Sequence, residues 1–197
     1  ANKSVREAVE YAIDGASIAK AVGYGLWEGA NQLANTTDAE YIQGFIGRPY
    51  NPEKAKQLLA SAGYQNGLKL TISCRSSMNR DAVVAIGTYL KAVGIDATLD
   101  FTDTARFGTL DVGGWKNGFI IQPVSVAPTW LSGVNQYMSS SSTSLKSTTK
   151  PAAEQSLLLQ VLQATDPQNA KTLSQQYIKL VSYDATVIPW ASYGRAT

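Results

Sequence analysis

Cys74 is the one thiol of the chain, and no histidine accompanies it. A thiol or serine nucleophile needs a base to take its proton, so the Cys–His dyad and the Ser–His–Asp triad are both closed. Histidine-ligated metal sites close with them, and one cysteine makes neither an internal disulfide nor a Cys-rich zinc site. Cys74 itself falls on the apolar side of a strand pattern, where a free cysteine behaves as a small hydrophobe. Ser144 near Lys146 has the makings of a Ser–Lys dyad, but the pair sits in the low-complexity run 139–149, which reads as a mobile surface loop. Asp100, Asp103 and Asp111 gather around one strand end, and paired carboxylates suffice for glycoside hydrolysis. Each has a plainer use, as an exposed strand residue, a helix N-cap and a turn residue. Gly23-Tyr24-Gly25 and Gly113-Gly114 lack a phosphate-loop or dinucleotide fingerprint and read as turns. No catalytic residue, cofactor or metal is assigned.

The elements that must position any site emerge from periodicity. Val5, Ala8, Val9, Ala12 and Ile13 fall at helical spacing, and Asp14-Gly15 separates this helix from a second running to Val22. Residues 23–50 carry five glycines, lack periodicity and read as an irregular connection. Asn51-Pro52-Glu53 is an N-cap, a first-turn proline and an acid at the positive helix end, with Gly63 placed as the left-handed cap. Leu68–Cys74 alternates strictly, Asn79 caps a helix to about Val93, and Ile95–Phe101 alternates again. Strand, helix, strand at these lengths is a βαβ unit with parallel strands. A short helix over 102–110, a glycine-rich turn over 111–118 and a third strand, Phe119–Gln122, follow. Two helices come next, introduced by Pro151 and by Asp166-Pro167, and Thr186–Trp190 reads as a fourth strand held to an edge by Pro189.

The fold class is therefore α/β, a mixed and partly parallel sheet flanked by helices, in one domain over residues 1–197. With 17 basic and 15 acidic side chains the chain offers no footprint for nucleic acid or an anionic membrane. No run approaches a membrane span. Ala1-Asn-Lys-Ser-Val-Arg-Glu reads as the start of a helix, as expected of a mature, cytosolic or excised chain.

In open α/β sheets ligands settle beyond the carboxyl ends of the strands. Here those ends lead into Arg75–Met78, Thr102–Thr104 and Pro123–Asn135. No acid occurs from Val112 to Ala153, while Lys116, Lys146 and Lys150 make the stretch weakly basic. Arg75, Thr104, Gln122, Pro123, Val124, Ser125, Val126 and Trp130 are the candidate ligand-binding residues, with core or edge packing as the plainer use of Trp130.

Four segments carry a family resemblance. Val5-Arg-Glu-Ala-Val-Glu-Tyr-Ala-Ile-Asp14 resembles a "VREAL-x-x-AID" helix. Tyr50-Asn-Pro-Glu-Lys-Ala-Lys-Gln-Leu-Leu-Ala-Ser-Ala-Gly-Tyr64 resembles "Y-x-PEKAK-x-LLAEAGY", and Leu90–Leu99 resembles "L-x-x-IGI-x-V-x-L". Tyr177–Pro189 is similar to a helix leading into an "IPL" strand. In this order they resemble the extracytoplasmic solute-binding proteins of the oligopeptide, dipeptide and nickel type, which feed ABC importers.

The resemblance implies one lobe, from the C-terminal half, of a larger two-lobed protein that closes on its ligand. It implies extracytoplasmic localisation, in the periplasm or as a surface lipoprotein, an ABC permease as partner of the full-length protein, and no catalysis. The isolated lobe is expected to be monomeric and to hold ligand weakly, because the family encloses its ligand from both sides. In peptide-binding members the loop after the third strand runs "GW-x-x-D-x-x-x-P", and its aspartate holds the ligand's α-ammonium. Here Gln122 stands near the start of that pattern and no acid follows. A buried ammonium without a counter-charge is costly, so the expected ligand lacks it: an oligosaccharide, a blocked or anionic peptide, or another polar solute. Trp130 would stack on a sugar face, and Gln122 and Ser125 would bond hydroxyls. A sensory receptor of the same build is the alternative, and a carboxylate-dependent hydrolase is a further one.

Overall fold

The computed structural model describes residues 2–123 and 129–193. In α1 (Lys3–Ala12) the Asn2 side chain accepts from the Ser4 amide, and Ala8, Val9 and Ala12 turn inward. Asp14 takes the Ser17 amide at 3.0 Å and its hydroxyl at 2.6 Å, which starts α2 (Gly15–Val22). Helix α3 (Pro52–Ser61) begins as its sequence dictates: Asn51 caps the Lys54 amide, Pro52 fills the first turn, and Gly63 adopts φ +87°.

Strand β2 (Leu68–Arg75), helix α4 (Arg80–Ala92) and strand β3 (Ile95–Thr102) form the βαβ unit, with Leu68 opposite Ile95 and Arg75 opposite Thr102. Helix α5 (Thr104–Gly113) carries the chain back to β4 (Gly118–Ile121), parallel to β2 on its other side. The order is β3–β2–β4. Ile72 and Cys74 share one face with α4, where Val83, Ile86 and Leu90 complete a core that α1 and α3 also enter. Residues of opposite parity turn to the other face. There Ile120 packs on a second core, built by α6 (Trp130–Met138), α7 (Ala152–Gln163) and α8 (Pro167–Asp184) around Val134, Leu158, Tyr177 and Val181. A separate antiparallel ribbon joins β1 (Trp27–Gly29) to β5 (Ala191–Tyr193). Parallel and antiparallel pairing thus both occur, in two sheets flanked by helices.

Several sequence expectations are corrected. The last strand is Ala191–Tyr193 rather than 186–190, and it joins the ribbon rather than the parallel sheet. Pro189 has no N–H to donate, and the Trp190 carbonyl goes to the Ala30 amide at 3.2 Å, so regular pairing begins only afterwards. The irregular 23–50 connection contains β1. Helix α5 runs on to Gly113, which shrinks the expected 111–118 turn. Part of the expected 123–135 loop is α6, begun by a Thr129–Ser132 capping box. The serine-rich 139–149 run is pinned rather than loose: Leu145 is buried, its amide donates to Asp111 Oδ1 at 2.8 Å, and Ser147 Oγ takes the Trp115 amide.

The carboxyl end of α8 is clasped by two arginines. The last carbonyls of a helix have no intrahelical donor. Arg48 donates to the carbonyls of Ser182 and of Tyr183, the latter at 2.8 Å, while Arg6 donates to Asp184 O at 2.7 Å and Ala185 O at 3.1 Å. The same Arg48 guanidinium pairs with Glu7 at 2.8 Å and Glu10 at 2.9 Å. Burial nonetheless pushes the Glu10 carboxyl from 4.5 up to about 7, outweighing Arg48. Across the turn, Glu154 on α7 is 3% exposed and accepts from the Thr186 hydroxyl at 2.9 Å. Burial lifts it too, to about 7.

Candidate functional site

The three parallel strands end along one edge. The chain leaves β2 for β3 on one side and then crosses to β4 on the other, so its direction of winding reverses at β2. The crevice at such a reversal is where open α/β sheets hold ligands. It lies between the ends of β2 and β4, where Cys74 pairs with Ile121.

Arg75 is the last residue of β2. Its guanidinium carbon stands 4.4 Å from the centre of the Phe107 ring on α5, which positions it by stacking. No carboxylate pairs with Arg75 among the described residues. Phe107 was absent from the sequence reading; its signal is the place one turn after the Asp103 N-cap, on the covered side of α5. The turn after Arg75 is fixed by its neighbour strand, since the Ser76 amide donates to Thr102 O at 2.7 Å. Thr104 opens α5 and is exposed.

Gln122 follows β4 directly, half-buried, and its Nε2 is buried with no hydrogen-bond partner among the described residues. A buried donor without an acceptor is uncommon enough to need a cause. Pro123 beside it is exposed. Val124, Ser125 and Val126 lie outside the described residues. Trp130 opens α6, but its indole N–H donates to Leu33 O at 3.3 Å and its ring meets Tyr177 edge-on at 6.4 Å. The indole is thus tied into the second core, while Arg75, Thr104 and Gln122 stand at the carboxyl ends of β2, β3 and β4.

The groups weighed for catalysis have structural partners. Asp100 accepts from Arg106 at 2.8 Å, Asp103 caps the Arg106 amide at 2.8 Å, and Asp111 takes the Leu145 amide. Cys74 is fully buried, and burial, helped by Asp100, raises its thiol. Among the described residues no group of three or more Cys, Asp or Glu side chains is placed to hold a metal, and no helix is long and apolar enough to cross a membrane.

Residues 1–147 match the family of bacterial extracellular solute-binding proteins, family 5, middle part. The heme-binding protein A of Haemophilus influenzae is 44% identical over 68 residues, which is 34% of this chain and 12% of that protein. The glutathione-binding protein GsiB of Escherichia coli K12 is 33% identical over 107 residues, 53% of this chain and 21% of that protein. The structure of a dipeptide-binding protein from Pseudoalteromonas sp. SM9913 with Met-Leu superposes with a TM-score of 0.87 at 20% identity. That superposition covers 98% of this chain and 40% of the other, so the chain spans well under half of that protein.

Proposed function

The chain belongs to the bacterial extracellular solute-binding proteins of family 5, and from that premise we propose that it forms one lobe of a receptor that captures a polar solute for an ABC importer. The solute sits beyond the carboxyl ends of β2 and β4, between this lobe and a companion lobe, and leaves unchanged. Residues 1–197 act as a single lobe, outside the cytoplasm, and the permease is met by the full-length protein. Arg75, Thr104, Gln122 and the residues following Gln122 line the crevice, backed by Trp130.

The observation that supports the ligand class is the balance of hydrogen-bonding groups. Among the described residues Arg75 has no carboxylate partner and Gln122 Nε2 no acceptor, while no acid occurs in the sequence from Val112 to Ala153. The described edge therefore offers donors, and its acid, Asp103, is occupied in capping α5. A solute presenting carbonyl, carboxylate or hydroxyl oxygens fits it: a blocked or anionic peptide or an oligosaccharide. Relatives named for heme, glutathione and a dipeptide complex bracket the size such crevices take.

Thermal shift of the full-length protein tests the reading, because a ligand at about a hundredfold its dissociation constant stabilises the folded state by roughly 2.7 kcal/mol. Blocked peptides or oligosaccharides should raise the melting temperature, and Gln122→Leu should abolish that rise. A rise with free-amine peptides alone would overturn the ligand class.

A further inference from the structure

A cavity of about 210 Å³ shares no lining residue with the crevice. It opens between the α1–α2 corner, the 46–50 turn and the 188–190 segment. Ile13, Ile46 and Ile188 supply its apolar wall, and Glu10, Asp14 and Arg48 its polar wall.

The polar wall carries more negative than positive charge. Both terminal nitrogens of Arg48 are committed: they pair with Glu7 and Glu10 and donate to the Ser182 and Tyr183 carbonyls. Asp14 spends both oxygens on Ser17, which is neutral. Glu10 is 7% exposed and gives Oε2 to Arg48, while its Oε1 accepts nothing among the described residues. Glu7 and Glu10 thus share one guanidinium, Asp14 adds a further carboxylate to the wall, and Glu10 Oε1 has room for another donor. A compact body on that donor would lie against the three isoleucines. An engineered apolar cavity of about 150 Å³ takes benzene, so this one has space for roughly seven to nine non-hydrogen atoms.

We propose that the cavity binds a small organic monocation, an ammonium group on a compact hydrocarbon body, with the ammonium donating to Glu10 Oε1. The site is separate from the solute crevice and does not rest on the function given above. Glu10 is held near 7 by burial against the opposing pull of Arg48, with Glu7 adding to the rise. An arriving cation therefore displaces a proton from Glu10 under mildly acid conditions, and binding tightens as pH rises.

Benzylammonium and its neutral counterpart, benzyl alcohol, separate the charge from the shape. Titrated into the 197-residue chain and followed by amide NMR, benzylammonium should shift resonances at Ile13–Ala16, Ala30–Asn31 and Ile46–Arg48. Its affinity should be about tenfold higher at pH 8 than at pH 5.5, and benzyl alcohol about tenfold weaker, because an ammonium–carboxylate bond is roughly twice as strong as a neutral one. Glu10→Gln should remove the pH dependence. Ile46→Trp, at a position 68% exposed at the mouth, should block the cavity while leaving the unfolding temperature in place. Equal affinity for the alcohol, a flat pH profile in the native chain, or shifts that persist in Ile46→Trp would each overturn the proposal.

Discussion

Glu154 and Tyr177 show how much a single buried polar atom matters in the second core. Folded Glu154 holds its proton to about pH 7, whereas the unfolded chain releases it near 4.5. Between those values the folded state carries the extra proton, so raising the pH favours unfolding; below the window the effect vanishes and above it the loss is complete. The displacement corresponds to roughly 3 kcal/mol. Glu10 acts in the same sense. The melting temperature should therefore fall from pH 5 to pH 8, and Glu154→Gln should recover part of the loss at pH 8 while changing little at pH 5. At about 2–4 °C per kcal/mol for a chain of this size, calorimetry resolves it. Tyr177 is fully buried and its hydroxyl has no partner among the described residues. Tyr177→Phe should be neutral or stabilising by up to about 1 kcal/mol in denaturant titration, since it removes an unsatisfied group and keeps the ring against Trp130. At this scale the sequence was legible at strand ends, where alternation placed Arg75 and Gln122 on the carboxyl edge. It was silent on Glu10 and Glu154, because a helical carboxylate reads as solvated until the packing against it is known.

Among the elements, backbone contact decides more than side-chain pattern. A Cβ on Gly118 would stand 1.9 Å from the Thr71 carbonyl, and one on Gly15 would stand 2.1 Å from the Trp190 carbonyl. The first glycine lets β4 close on β2; the second lets the 188–190 segment cross the start of α2. Gly118→Ala should cost more than about 2 kcal/mol in chemical unfolding, as overpacking of a close contact does. In the full-length protein it should also weaken solute binding, because β4 presents Gln122. Gly15→Ala should unfold the chain more readily without touching the crevice. The elements that sequence made plain are the helices α3 and α4, which have both a cap and an apolar period, and the alternating eight-residue strands β2 and β3. Those it missed lack one or the other. Strands β1 and β5 are three residues each, too short for alternation to register. Helix α6 is capped by Thr129, and the proline that precedes it in the sequence disguises this helix start. In the 139–149 run a polar composition conceals the buried Leu145.

For the molecule as a whole, the arginine clasp on α8 is the widest joint. Arg48→Met would strand Glu7, Glu10 and the Tyr183 carbonyl, while Ser182 O keeps the Ala185 amide, and breaking a buried pair from one side costs about 3–5 kcal/mol. The cost should shrink toward pH 5, where Glu10 takes up a proton; a penalty equal at pH 5 and pH 8 would show that the pair with Glu10 contributes little. The overall α/β class and the family were legible because four local patterns recur in order along the chain. The clasp was not, because its members stand 134 to 179 residues apart in sequence. That separation has a consequence for how the chain is made. Closing so long a loop comes late in folding, after the local βαβ unit, and synthesis delivers the amino-terminal residues first. Until Ser182–Ala185 leave the ribosome, α1 and the 46–50 turn lack the carbonyls that fix Arg6 and Arg48. Nascent chains halted just before Ser182 should therefore be cut by protease within the first fifty residues while β2, α4 and β3 are already resistant. The last turn of α8 is, in that sense, the latch that ends the chain's exposure to the cell's quality-control machinery.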